Sequence, residues 1–114
     1  MNATHRKLIC EYNPSNIKCR PEEQWGLVCY TLSHRFFKQA MQWNVTRREG
    51  RAVVLRVVNA TTAQELLEAV LPKTEITMQV LERRDSGFDL VVKEQRGGMK
   101  EMLYTVKPVK RNRG

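Results

Sequence analysis

The side chains best equipped for a chemical task in this sequence are its cations, and eleven of the twenty form three groups. Arg47, Arg48 and Arg51 come first, with Glu49 among them. Arg83, Arg84, Arg96 and Lys100 flank a pair of turns. Lys107, Lys110, Arg111 and Arg113 follow Val106 with no acid between them. Guanidinium and ammonium groups at such density neutralise phosphates, each contact adding a salt-dependent contribution to affinity. Twenty Lys and Arg against twelve Asp and Glu give a net charge of +8, half of it beyond Val106. A balance of this sign favours a polyanionic partner. We therefore expect a nucleic acid, RNA or DNA, held mainly through its phosphates, with every residue of the three groups a candidate contact. Neither the aromatic signature of RNA-binding sheets nor a G-x-x-G loop is present, so base-specific readout is not expected.

Other chemistry finds less to work with. The histidines are His5 and His34, and the aspartates are Asp85 and Asp89. A nucleophile needs a base within hydrogen-bond reach. Cys29 and His34 are five apart on an expected helix and point in different directions, and Ser33 beside His34 fails similarly. No cluster of His, Cys, Asp or Glu has metal-ligand spacing. Gly97-Gly98 lacks the lysine and hydroxyl residue that continue a phosphate loop. No catalytic residue, metal or cofactor is expected. The main alternative is a protein–protein interaction or scaffolding module, homodimeric or with another partner, that uses an aromatic helix face and an exposed last strand. A small basic ribonuclease built on His34, Glu94 or Tyr104 ranks lower.

Cys10, Cys19 and Cys29 are odd in number and widely spaced, the pattern of free thiols rather than of a disulfide framework. The polar N-terminus lacks the apolar core of a signal peptide, and no apolar run approaches the length of a membrane span. The expectation is an intracellular protein, cytoplasmic or nuclear, and Lys107-Pro108-Val109-Lys110-Arg111 has the composition of a nuclear-import signal. Without a secretory route the sequons at Asn2, Asn44 and Asn59 stay unmodified, and the last is explained by helix capping.

These residues need a frame. Arg6 to Tyr12 reads as a first strand, and Asn13-Pro14-Ser15-Asn16 as a turn. Pro21-Glu22-Glu23 opens a helix. Trp25, Val28, Cys29, Leu32, Phe36, Ala40 and Trp43 recur at helical steps, which predicts one long helix over Pro21 to Trp43. Tyr30, Phe37 and Met41 widen its apolar surface. Asn44 to Gly50 reads as a basic loop, or a loop becoming strand. The run Ala52-Val53-Val54-Leu55-Arg56-Val57-Val58 is nearly continuous in apolar side chains, which predicts a central strand, Arg51 to Val58, covered on both faces. Arg56 interrupts it, either pointing out at an edge or carrying a paired charge. Thr61/Gln64 and Thr62/Glu65 are overlapping capping boxes for a short helix that Pro72 ends. Glu75 to Glu82 and Phe88 to Lys93 alternate as half-buried strands joined at Asp85-Ser86-Gly87, and Met102 to Val106 completes a meander. The expected fold is α+β, a single mixed sheet of about four to five strands with two helices packed on one face, in the order β-α-β-α-β-β-β. Residues 1–106 would form one domain and 107–114 a flexible basic tail.

Overall fold

The structure is a computed structural model that describes residues 7–38, 41–95 and 100–109. In chain order the elements are β1 (Leu8–Tyr12), α1 (Pro21–Phe36), β2 (Gln42–Glu49), β3 (Ala52–Asn59), α2 (Ala63–Val70), β4 (Ile76–Glu82), β5 (Phe88–Glu94) and β6 (Lys100–Pro108). The α+β class and the two helices match the sequence reading, but the sheet departs from it. It has six strands in the spatial order β1-β4-β5-β6-β2-β3. Every neighbouring pair is antiparallel, so the sheet is not mixed. Gln42–Glu49 is a strand of its own and changes the order to β-α-β-β-α-β-β-β.

The reason lies at Trp43. Its spacing from Phe36 and Ala40 suits a helix, but it also opens a two-residue alternation. Trp43 and Val45 are buried, while Asn44 and Thr46 between them are only half-buried. A strand here gains a hydrogen-bonded ladder on both sides, with β3 and with β6, and that outweighs helical propensity. The first helix therefore stops at Phe36, with the Phe37 amide donating to the Ser33 carbonyl at 3.1 Å. Pro21 sits in its first turn with Glu22 and Glu23, and His34 and Arg35 sit in its last, as the helix dipole prefers.

The core is one layer between the helices and one face of the sheet. Val28, Cys29 and Leu32 of α1 and Ala63, Leu66 and Leu67 of α2 pack on Met78, Val80, Phe88, Leu90, Tyr104 and Val106. All of the last group share a face by register, so both helices cover the same side. Phe36 lies tilted against Phe88 at 4.8 Å between ring centroids, and Phe37 tilted against Trp43 at 4.3 Å. Much of the helix's aromatic surface is thus core rather than partner surface, and Leu27 and Tyr30 remain exposed on its outer side. The Trp43 indole N–H donates to the Ala60 carbonyl at 3.0 Å and fixes the entry to α2. There the Thr62 hydroxyl accepts from the Glu65 amide, and the Glu65 carboxylate accepts from the Thr61 amide at 2.7 Å, which is the capping-box chemistry read from the sequence.

The apolar run at Ala52–Val58 is not central. It forms β3, the last strand at one edge of the sheet, and Val53, Val54, Leu55 and Val57 are 44–64% exposed. Gly50, at φ 59°, and Arg51 make a two-residue turn between the paired ends Glu49 and Ala52. That turn places β3 beside β2, whose other side β6 already occupies, so β3 is left outermost. Helix α2 meets it at Arg56. Arg56 is exposed, and its guanidinium donates to the Ala69 carbonyl in the last turn of α2 at 3.2 Å, a turn with no basic residue of its own. The last strand, expected to be an exposed edge, instead lies inside the sheet between β5 and β2. It also runs past Val106 through Lys107 and Pro108, and the Val109 amide donates to the Gln42 carbonyl. Those residues of the expected tail belong to the sheet.

Candidate nucleic-acid interface

Among the described residues the sheet's second face carries no helix, and strand register decides which side chains reach it. Along β2, Asn44, Thr46 and Arg48 alternate with the core-facing Trp43 and Val45. Opposite them on β6 stand Lys107, Thr105 and Leu103. Arg83 joins this group from the end of β4. Asn44, Thr46, Arg48, Arg83, Thr105 and Lys107, with Leu55 of β3 as one wall, line a groove of ≈280 Å³. Among the described residues its lining is, besides Leu55, three cations and three neutral hydrogen-bonding side chains, and no carboxylate. That is a set of donors suited to phosphate oxygens.

Two aspartates behind the groove restrain its charge. The Arg83 guanidinium donates Nε and Nη2 to the two oxygens of Asp85 at 2.8 and 3.2 Å, and Nη1 to both oxygens of Asp89 at 2.9 and 3.2 Å. Asp89 is fully buried beneath it, so this guanidinium compensates a carboxylate that burial would otherwise make costly. Lys107 Nζ lies 3.4 Å from Asp85 as well. Hydrogen bonding from Arg83 leads in holding the Asp85 carboxyl down at about 2, below its ordinary 3.8, with Lys107 adding to the effect. Gly87 lets this hairpin close, because a Cβ there would collide with the Val106 carbonyl oxygen.

The sequence candidates do not converge as one surface. Arg48 and Arg83 face the groove with Lys107, and Arg84 is exposed in the adjoining turn. Neighbours in a strand point to opposite faces, so Arg47 lies on the helix side, opposite Tyr104 in the β2–β6 register. Arg51 occupies the β2–β3 turn at the other end of the sheet. Lys100 is also at that end, paired with Glu49 at 3.2 Å. Arg96, Lys110, Arg111 and Arg113 lie outside the described residues. Among the described residues Arg48, Arg51 and Arg84 have no carboxylate within ion-pair distance. Sequence reasoning missed Asn44, Thr46 and Thr105. The alternation Asn44, Thr46, Arg48 was the signal that would have found the first two, had that stretch been read as a strand.

All eight aromatic side chains of Phe, Trp and Tyr are elsewhere. Seven contribute to or border the core, and Tyr30 stacks on His34 on the outer side of α1 at 5.9 Å. The groove thus offers no ring on which a base could stack. Of the side chains considered for a ribonuclease, His34 sits in the last turn of α1, Glu94 ends β5 and Tyr104 is buried on β6. Glu94 accepts from the Thr74 hydroxyl at 2.7 Å, and burial raises the Tyr104 phenol. Burial also pushes the Cys10 thiol up to about 11 and raises Cys29. A cleft of ≈520 Å³ lies between the start of α1 and the end of α2, walled by Trp25, Tyr12, Leu67, Leu71 and Ile76 with Glu68, Lys73 and Glu75 also lining it. It has no convergent charge. Among the described residues no three His, Cys, Asp or Glu side chains are placed to hold a metal, and no helix is long and apolar enough to cross a membrane.

The chain matches no protein-family model, no curated protein and no solved structure.

Proposed function

We propose that the protein binds nucleic acid without catalysing a reaction, and that it holds the phosphate backbone in the groove on the helix-free face of the sheet. The observation that carries this reading is the groove's lining: Arg48, Arg83 and Lys107 interleaved with Asn44, Thr46 and Thr105, with no carboxylate among them. Cations supply the attraction, and the amide and hydroxyls supply donors that orient phosphate oxygens. The absence of an aromatic ring from this face argues for backbone contact over base stacking. The overall +8 charge would speed encounter, and Lys110, Arg111 and Arg113 would extend the contact from the strand end that already lies beside the groove.

Fluorescence anisotropy with labelled RNA and DNA, single-stranded and duplex, at two salt concentrations tests this. Binding should weaken steeply with salt. Arg48→Gln should flatten the logarithmic salt slope by about 0.9, the share of one phosphate contact. Removing residues 110–114, which leaves all of β6 intact, should flatten it further. Binding that ignores salt, or that survives unchanged in Arg48→Gln, refutes the groove as the site. Cleavage of the labelled RNA in the same assay would establish a nuclease instead.

A further inference from the structure

We propose that β3 is a homodimer interface, in which the edge strands of two copies pair antiparallel about a two-fold axis and join their sheets into one of twelve strands. Soluble proteins blunt exposed edges with short strands, bulges, proline or charge. The opposite edge of this sheet does so: β1 has five residues, and its register is broken between Leu8 and Cys10. Strand β3 has eight residues in unbroken register, no proline and no lysine. Its one charge, Arg56, is turned back onto the Ala69 carbonyl. The strand also exposes Val53, Leu55 and Val57 on the helix-free face and Val54 on the other, each about half exposed or more. A monomer gains nothing from an edge of this kind.

The strand's own pattern selects a second copy as the occupant and fixes the register. The Ala60 amide donates to the Met41 carbonyl in continuation of the β2–β3 ladder. Even-numbered residues of β3 therefore direct their backbone groups to β2, and odd-numbered residues direct theirs outward. Self-pairing must match odd with odd, which leaves two registers of near-full overlap. One sets Arg56 opposite the partner's Arg56, two like charges at a close pair. The other sets Leu55 opposite the partner's Leu55, with Val53 against the partner's Val57, and Arg56 against the partner's Val54. The second register makes every pair on the helix-free face apolar and keeps the arginines apart. The two-fold axis runs perpendicular to the sheet, so both helix-free faces point the same way. At ~4.8 Å per strand the two β2 strands, each with its Arg48, come about 14 Å apart. The pairing stands whether or not the grooves take a nucleic acid.

The test needs no ligand. Light scattering on the size-exclusion peak should give the dimer mass at micromolar concentration. Leu55→Lys sets two ammonium groups against each other on the axis, and should weaken association about tenfold or more while leaving the circular dichroism unchanged, because Leu55 is 64% exposed. Independently of any variant, hydrogen exchange should show the amides of Val53, Leu55 and Val57 as protected as those of Val54, Arg56 and Val58. A wild-type monomer overturns the proposal, and so does a dimer that survives Leu55→Lys or exchanges its odd-numbered amides freely.

Discussion

Replacing Asp85 by Asn should make this protein bind nucleic acid more tightly, although Asp85 does not line the groove. Its carboxylate lies 3.4 Å from Lys107 Nζ and 2.8 Å from Arg83 Nε, so in the proposed groove it would compete with phosphate for both. Arg83 stays held by the buried Asp89 after the substitution. Lys107, about half exposed, does not. One phosphate contact is therefore gained, and the logarithmic salt slope should steepen by about 0.9. A fourfold rise in salt then costs the variant about 3.5-fold more affinity than the wild type, so its advantage is largest at low salt and shrinks by that factor. The assay is anisotropy titration across the salt range, with Lys107→Gln and the double variant completing a cycle. In the Lys107→Gln background the gain should vanish. A gain independent of salt, a loss of affinity, or a gain that persists without Lys107 refutes the competition. The pH dependence follows the same logic. The folded-state pKa of Asp85 is lowered from 3.8 to about 2, so its ion pairs support the fold above the higher value and are lost as pH falls through the lower. Across neutral pH the carboxylate stays ionised, and binding should not respond to its titration.

Three further outcomes follow from the same geometry. Arg83→Met withdraws charged hydrogen bonds from Asp85 and from the buried Asp89, and should lower stability by about 2 kcal/mol or more, read as a shift of the urea midpoint, while changing the salt slope by less than Arg48→Gln does. Gly87→Ala forces a Cβ against the Val106 carbonyl and should cost about 1–3 kcal/mol in the same denaturation assay. Alkylation at mildly alkaline pH should label the exposed Cys19 well before Cys10, whose thiol is pushed up to about 11, and before the buried Cys29, as mass spectrometry of timed samples would show.

Local chemistry was legible in the sequence where a single element settled it. The Thr62/Glu65 cap, the Pro21 helix start and the hairpin at Asp85-Ser86-Gly87 all stand in the structure. Burial was misread wherever it depended on which strand lies beside which. The run Val53 to Val58 has the composition of a strand buried on both faces, and composition cannot say where in a sheet a strand ends up. The two-residue turn at Gly50-Arg51, which the sequence reading split between a basic loop ending at Gly50 and a strand starting at Arg51, decided that. Trp43 fits a period of three to four and a period of two equally well, so the boundary between α1 and β2 was set by the ladders that only the assembled sheet supplies.

The cations show the same limit in electrostatic form. Arg47 and Arg48 are adjacent in sequence and count as one basic group, but the pleat sends them to opposite faces. Arg48 and Lys107 are far apart in sequence and meet because β2 pairs with β6. Net charge overstates what the groove can offer, since the same hairpin that delivers Arg83 also delivers Asp85 and Asp89, the only aspartates in the chain. Arg83 is committed to the fold and Lys107 is shared, whereas Arg48 has no carboxylate within ion-pair distance among the described residues. On the proposed function, a surface built this way would hold phosphates through few contacts per copy. Pairing two copies across β3 would double them along one face, which ties the exposed apolar edge to the weakness of a single groove.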